Sequence, residues 1–288
     1  MEVLVKPTHE IEEYQNADGF VLPLADFSVD YRNYYTLEEI RNIVNRTKKK
    51  VFVVINKMIE NKEIQSLKST LMQLDKLNIK GIFFYDLSLI RLKQDLKLKI
   101  DLVWNNTHMV TNYYTCNYYY NKGCKYAYLS NEITLEEILE INEKAKTKLI
   151  FMLLGYPTVA FSKRKLVSNS GFDKEIKIKE PVSKQEYLVI ENKFGTTFKY
   201  NKVRNNSSIL KDLIEHDFPY IYLIEDDIEH NKFKKALDLT KNYLKNENKD
   251  YVNNMRNLFN GDTGFLYRKT IYKVKKWKKL NYFLQQEI

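Results

Sequence analysis

The residues best suited to chemistry are two cysteines and four histidines. Cys116 and Cys124 lie in the tyrosine-rich stretch TNYYTCNYYYNKGC, with seven residues between them. Zinc and thiol redox sites usually space two cysteines as C-x-x-C, a spacing that this stretch lacks. Lys122-Gly123 is predicted to end a helix before Cys124. We therefore interpret both cysteines as core packing residues of a chain that lacks a disulfide framework.

The histidines match no catalytic motif. No H-E-x-x-H, G-x-S-x-G, Walker or Rossmann pattern occurs, and no nucleophile–base pair or metal triad is visible. His108 closely follows the fifth predicted strand, so it either faces an active site or lies in a solvated loop, and the loop is favoured. The sequence predicts no metal site. The four residues are His9, His108, His216 and His230.

Eight short apolar runs are the strand candidates. They are continuous rather than alternating, as is typical of parallel strands buried on both faces. With helical patterns between them, they predict an α/β fold, a (β/α)8 TIM-type barrel; an open doubly wound sheet is the alternative. The runs are EVLVKP from Glu2, GFVLPL from Gly19, KVFVVIN to Asn56, KGIFFYD to Asp86, KIDLVWN to Asn105, KYAYLS to Ser130, KLIFMLLG to Gly155 and YIYLIED to Asp226.

Two helix–strand units resemble each other. TLEEIRNIVNRTKKKVFVVIN begins at Thr36, and TLEEILEINEKAKTKLIFMLLG begins at Thr134. Each opens with a capping box, in which the threonine is followed three residues later by Glu39 or Glu137. Either an internal duplication or the general similarity of helix–strand units explains the match.

The regular alternation breaks between Lys163 and Asn205. EYLVIEN and TTFKYNK, on either side of Phe194-Gly195, predict a β-hairpin inserted before the last strand. We therefore expect a barrel domain over residues 1–250, with an insertion at 163–205. Residues 251–288 are expected to form a basic and aromatic extension that packs on the barrel.

Polar and aromatic side chains stand at the carboxyl ends of the predicted strands. Barrel enzymes place their chemistry at that end, so these residues are candidates for a ligand pocket. The alternative is that strand ends turn polar wherever the chain reaches water. The pocket candidates are Asn56, Asp86, Trp104, Asn105, Glu132, Tyr156 and Glu225, with Asp226 beside the last.

The net charge of +10 and a pI near 9.2 favour an anionic partner, with RNA ahead of a membrane surface. Codon bias and solvated helix faces are the alternatives. No signal peptide is apparent, and no apolar run approaches the roughly 18 residues of a membrane span, so a cytoplasmic protein without a membrane partner is expected. The RNA-binding candidates are Lys163, Arg164 and Lys165 after the seventh strand, and Arg268, Lys273, Lys275 and Lys276 among Tyr272 and Trp277.

Four segments together resemble the collagenase-like peptidase family U32. They are WNNTHMVTNYYTCNYYYNKGCKYAYLSNEITLEEI, FMLLGYPTVAFSKRKLVSNS, NKFGTT and GDTGFLYRKTIY, and they run in the family's order. The similarity is strongest to a short branch tied to tRNA hydroxylation. The resemblance implies an oxygen-adding role, such as conversion of the tRNA wobble uridine to 5-hydroxyuridine. It also implies an iron–sulfur cluster in several members and paired paralogous subunits in some.

The chain departs from the family at the cluster. Two of the family's cluster cysteines fall at Thr158 and Lys165, the downstream pair has no counterpart, and the histidine before the strand-seven glycine is Leu154. A cubane cluster needs four thiolates, so we expect none held by this chain alone and an iron–sulfur cluster only on a partner. The resemblance implies a component of tRNA wobble uridine hydroxylation, binding tRNA and a cluster-bearing paralogous subunit. A peptidase and a non-catalytic scaffold are the alternatives.

Overall fold

The computed structural model describes residues 1–106, 108–182, 184–246 and 249–268. Eight parallel strands close into a barrel, so the predicted (β/α)8 class is confirmed and the open sheet is excluded. Each predicted run contains one of them. Numbered along the chain, they are β1 (Glu2–Lys6), β2 (Gly19–Pro23), β3 (Lys50–Ile55), β4 (Gly81–Phe84), β5 (Leu102–Trp104), β6 (Tyr126–Tyr128), β7 (Lys148–Gly155) and β13 (Tyr220–Ile224).

The barrel closes where β13 inserts between β7 and β1. On one side Tyr220 is paired with Ile150 of β7, and on the other Glu2 to Lys6 are paired in register with Tyr220 to Ile224. Strands β1 to β7 follow one another around the rest of the wall.

Nine α-helices lie in the part of the chain that the structure describes. Both predicted capping boxes are formed: Thr36 accepts from the Glu39 backbone N–H, and Thr134 does the same with Glu137. The helices are α1 (Leu37–Arg46), α2 (Ile64–Leu74), α3 (Ser88–Asp95), α4 (Tyr113–Asn121), α5 (Leu135–Lys144), α6 (Leu166–Asn169), α7 (Leu210–Glu215), α8 (His230–Lys245) and α9 (Tyr251–Leu258).

Side chains alternate between two cores. One core fills the barrel interior and is rich in rings that meet edge to face, such as Phe52 against Phe83 and Tyr126. The other lies between the strands and the helices and contains both cysteines, fully buried. Helix α4 ends at Asn121 and Gly123 takes a positive φ of 95°, so Cys124 follows the helix as predicted.

The predicted hairpin is present, but it belongs to a larger sheet. Asn192 pairs with Gly195 across the turn, and strands added on either side make four antiparallel strands in the order β8-β11-β10-β9. The sheet begins at Thr158, before the predicted start of the insertion. Its strands are β8 (Thr158–Ser162), β9 (Glu175–Lys179), β10 (Glu186–Asn192) and β11 (Gly195–Tyr200); the short β12 (Arg204–Asn205) then pairs antiparallel with β7.

The start of the predicted extension lies against the barrel domain. Helix α9 contacts α8 through the stacked rings of Tyr243 and Tyr251, 4.6 Å apart. Further on, Asp262 forms an ion pair with the buried Arg204, and the Leu266 carbonyl accepts from the Leu135 N–H. The predicted extension beyond residue 268 lies outside the described residues.

Candidate functional site

The carboxyl ends of the barrel strands carry polar side chains that point inward. Side chains alternate along a strand, so residues two positions beyond an interior residue also face the interior. Lys6 follows Leu4 in this way, Asn56 follows Val54 and Asn105 follows Val103, and each first member lies in the interior core. A polar layer therefore covers the aromatic interior at this end, which we call the mouth.

A buried ion pair lies at the centre of this layer. Lys6 is fully buried and forms an ion pair with Asp226, which is 1% exposed. The Lys6 ammonium also donates to Asn33. Burial lowers the pKa of Lys6, and the Asp226 carboxylate opposes that shift. Asp226 in turn accepts from the Arg32 backbone N–H at 3.2 Å, which ties the loop after β2 to the end of β13.

A second ion pair brings in a buried lysine from outside the barrel strands. Lys199, on β11 of the inserted sheet, lies 3.2 Å from Asp227 Oδ2. Burial opposes protonation of Lys199, but Asp226, Asp30 and Asp227 together raise its pKa. Asp30 lies in the loop after β2 and accepts from the Thr158 hydroxyl. Burial raises the pKa of Asp30 to about 6, and Lys199 is the main opposing charge.

A cavity of about 310 Å³ opens at the rim of the mouth, and a smaller one of about 60 Å³ lies at its floor. Both are lined by Asp30, Asn56, Asn105 and Thr158. The rim adds apolar and aromatic walls, Met58, Tyr85, Val159 and Phe161, with His108 beside them. A cavity of this size, with apolar walls and a few convergent polar groups, is typical of a small-ligand site.

Several buried polar atoms of the floor lack hydrogen-bond partners among the residues that the structure describes. Four are acceptor oxygens of carboxylates or amides, and the fifth is a tyrosine hydroxyl. Buried polar groups are normally paired, so these atoms mark where a polar ligand would bind. They are Asp30 Oδ1, Asn105 Oδ1, Asn131 Oδ1, Asp226 Oδ2 and the Tyr222 hydroxyl.

Four of the pocket candidates predicted from sequence lie at the mouth. Asn56, Asn105 and Tyr156 line the floor cavity. The Asn56 amide accepts from the Val29 N–H at 2.9 Å and donates to its carbonyl, so it also holds the loop that carries Asp30. Glu132 is at the rim, half exposed, 3.6 Å from His108 Nδ1. His108 is itself half exposed in the loop after β5, and this loop lies at the rim of the mouth, so the two interpretations of His108 do not exclude each other.

The other three pocket candidates face away from the mouth. Trp104 is buried between the barrel and the helices, where its ring stacks on Tyr119 at 3.9 Å. Asp86 Oδ2 accepts from the Ile59 N–H at 3.0 Å and orders the β3–α2 connection. Glu225 is buried on the outer side of the wall, where it binds the Tyr14 hydroxyl. Each stands one residue from an inward-facing position, which explains the difference from the prediction.

Sequence reasoning missed Lys6, Asp30, Lys199 and Tyr222 as site residues. Lys6 and Tyr222 had a detectable signal, because both continue the alternation of interior residues in their strands. Asp30 and Lys199 reach the mouth from a loop and from the inserted sheet, and neither has a local pattern that predicts this.

The first group of basic RNA-binding candidates lies next to the rim. Lys163, Arg164 and Lys165 are exposed and directly follow β8, whose residues line the cavity. Lys163 forms an ion pair with Glu60, at the start of the segment before α2. Arg268 is also exposed. Lys273, Lys275 and Lys276 lie outside the described residues.

The cysteines do not fit an iron–sulfur cluster. The chain has two, where an ordinary cubane cluster takes four thiolates. Burial raises the pKa of Cys116 to about 11 and that of Cys124 to about 12, so both are protonated thiols. Thr158 and Lys165 stand where the family resemblance places cluster cysteines; the first lines the cavity and the second is exposed.

Comparison with known proteins identifies the family of the chain and supports its fold. The family model described as Peptidase family U32 matches residues 14–179. The chain belongs to peptidase family U32. The solved structure of the U32 peptidase Mk0906 covers 78% of this chain and 92% of its own, with a TM-score of 0.50 and 15% identity, and it supports the barrel fold.

Two curated relatives of this U32 chain are from Bacillus subtilis (strain 168). It is 26% identical to tRNA hydroxylation protein P2 over 175 residues, which cover 58% of this chain and 57% of the relative. It is 25% identical to tRNA hydroxylation protein P1 over 138 residues, which cover 47% and 33%. The matches therefore span about half of one relative and a third of the other. Across the described ranges, no helix is long and apolar enough to cross a membrane.

Proposed function

We propose that this U32 protein acts in the 5-hydroxylation of the tRNA wobble uridine, as a component without an iron–sulfur cluster of its own. The observation that carries the proposal is the cavity at the mouth, with apolar walls, a polar floor and a basic segment at its rim. The similarity to two tRNA hydroxylation proteins supports the choice of substrate. The proposed location is the cytoplasm, where tRNA is modified.

The cavity suits a base that has left its stack. Enzymes that modify a nucleobase extrude it into a pocket, hold it between apolar or aromatic side chains and read its edge by hydrogen bonds. Tyr85, 40% exposed, and Phe161 offer such walls. The Asn105 amide, whose Oδ1 is unpaired in the described part of the chain, can accept from the imide N–H of uracil.

The basic segment Lys163–Lys165 is positioned to bind phosphates of the anticodon loop. RNA loops are recognised through splayed bases together with charged contacts to the backbone. Lys163 already forms an ion pair with Glu60, whereas Arg164 and Lys165 are exposed. Arg164 and Lys165 are therefore the main proposed phosphate ligands. Arg268, with Lys273, Lys275 and Lys276, is proposed as a second phosphate contact.

The oxygen chemistry requires a redox centre or an organic donor, because no side chain supplies one. A paralogous subunit that carries an iron–sulfur cluster is the proposed source, consistent with the two cysteines of this chain being buried thiols. A non-catalytic scaffold for that subunit is the runner-up. If Asn105→Ala abolishes tRNA hydroxylation but still binds the paralogous subunit, the cavity itself is functional and the chain is more than a scaffold. A collagenase-like peptidase is the other alternative, and none of the described residues of the mouth favours it.

The test is mass spectrometry of tRNA nucleosides from a strain that lacks the gene. We expect 5-hydroxyuridine and its derivatives to be lost, and to return with the intact gene. Complementation with Asn105→Ala should fail, because the cavity loses an acceptor, whereas Asn42→Ala, an exposed change on α1, should restore the nucleoside. Unchanged nucleosides in the deletion strain would refute the proposal.

A further inference from the structure

A second cluster of chemical groups lies on the outer side of the barrel wall, at the same end as the mouth. One ring nitrogen from each of His9 and His230 and one oxygen of Glu225 all lie within 4.8 Å of one another. The two imidazole rings are tilted by 32° to each other, with their centroids 3.8 Å apart. These residues take no part in the cavity, because Glu225 points away from it.

The Glu225 carboxylate is oriented so that one oxygen faces both histidines. Its Oε2 accepts from the Thr8 N–H at 2.7 Å and from the Tyr14 hydroxyl. Its Oε1 lies 2.6 Å from His230 Nδ1 and 3.7 Å from His9 Nδ1. Two ligand atoms that each lie about 2.0–2.1 Å from one ion are roughly 3 Å from each other. The distance from Oε1 to His230 Nδ1 is slightly shorter than this, and the distance to His9 Nδ1 is slightly longer.

His230 also has the outer partner that is typical of a metal ligand. Histidines that bind metals usually donate their other ring N–H to a carboxylate, which fixes the tautomer and the ring. His230 Nε2 lies 2.8 Å from Glu13 Oε2, which leaves Nδ1 directed at Glu225. The His9 side chain is 48% exposed, so an ion can enter from solvent and can keep coordination positions open to water.

We propose that His9, Glu225 and His230 bind one divalent first-row transition-metal ion. Two imidazoles and one carboxylate form the donor set of open Zn²⁺ and Fe²⁺ sites, whereas Mg²⁺ and Ca²⁺ prefer oxygen ligands. His9 follows β1, Glu225 follows β13 and His230 begins α8. The ion therefore joins the first and last strands of the barrel at the point where the wall closes.

The test is calorimetric titration of the purified, chelator-treated chain with Zn²⁺, repeated with Mg²⁺. We expect one Zn²⁺ per chain, and a melting temperature higher by roughly 5–10 °C at a hundredfold excess of free Zn²⁺ over Kd. His9→Ala should weaken binding more than tenfold, and Glu13→Ala about 10- to 100-fold. His216→Ala, a control at an exposed helix end, should bind as the parent does.

His9→Ala should not unfold the protein, because His9 is half exposed and its replacement leaves the buried hydrogen bonds of Glu225 in place. Circular dichroism of the variant checks that it is folded. The absence of Zn²⁺ binding by the parent chain would overturn the proposal. Equal affinity of the parent and of His9→Ala would also overturn it, since the ion would then bind elsewhere. Equal binding of Mg²⁺ would refute the transition-metal class. The titration needs no tRNA, so its outcome is independent of the proposed function.

Discussion

Replacement of Asp226 by asparagine tests the buried ion pair at the mouth. Lys6 and Asp226 are 0% and 1% exposed, so the change leaves an ammonium in the interior without its ion-pair partner. Breaking a buried pair costs about 3–5 kcal/mol. We expect about 3 kcal/mol for Asp226→Asn, because the amide oxygen can still accept from Lys6. That is a large fraction of the roughly 5–15 kcal/mol that stabilises a typical domain.

The loss should depend on pH. Burial already lowers the pKa of Lys6 from 10.5, and removal of the carboxylate lowers it further. Between the two folded-state pKa values, the folded variant has released the Lys6 proton while its unfolded state retains it. The free energy of unfolding of the variant then rises with pH by about 1.4 kcal/mol per unit, relative to the parent. Its deficit should therefore shrink as the pH is raised through the range between those two pKa values.

The assay is urea unfolding of four proteins, the parent, Asp226→Asn, Lys6→Met and the double variant, at pH 7 and pH 9. We expect the double variant to lose less than the sum of the single losses, because it leaves no unpaired charge. A loss below about 1 kcal/mol for Asp226→Asn would refute the reasoning. A deficit that stays constant between the two pH values, together with additive single losses, would do so as well.

Three further predictions concern other groups. Cys116 and Cys124 should not react with a thiol reagent at pH 8 in the folded protein and should both react in urea, because burial raises their pKa values to about 11 and 12; fast reaction of either in the native state would contradict this. Asp30→Asn should gain stability relative to the parent as the pH rises from about 4 to 6 and stay level above that. The reason is that the pKa of Asp30 is raised to about 6, so the folded parent holds a proton there that the unfolded chain has lost. Urea unfolding midpoints of both proteins across that pH range measure this, and a difference between them that does not change with pH would contradict the prediction. Thr36→Ala and Thr134→Ala should each cost about 1 kcal/mol, additively, since each removes one capping box; urea unfolding of the single and double variants measures this, and a negligible loss from both would show that the caps contribute little.

The barrel was predictable because its strands are buried on both faces. Continuous runs such as KVFVVIN mark such strands without any knowledge of their partners. The inserted sheet was predicted in part. β10 and β11 flank a turn and were detected, whereas the largely exposed β9, EIKIK, lacks an apolar run, and β8 follows β7 after two residues. Which strands pair to close the barrel is decided by contacts far apart in sequence.

The site was predictable only to within one residue at several strand ends. The sequence shows that Trp104 and Asn105 end a strand. Which of the two side chains faces inward depends on which alternate residues of that strand line the barrel interior, and the sequence alone does not show this. Glu225 and Asp226 are a second such pair. Glu225 faces the outer side of the barrel wall, whereas Asp226 faces the mouth. Asp30 and Lys199 meet there through tertiary packing, which no local pattern encodes.

The pairing of β1 with β13 has a consequence for the order of folding. Glu2 finds its partner Tyr220 more than two hundred residues later, so the closing contacts of the wall have the largest sequence separation in the barrel. Contacts of this kind carry a high loop-closure entropy and form late. Until residue 220 is available, one edge of β1 has no strand to pair with, and an open edge is a template for association between chains. Joining the ends of the chain and cutting it between β6 and β7 would place β13 ahead of β1 in sequence, and would shift that risk to the β6–β7 pair.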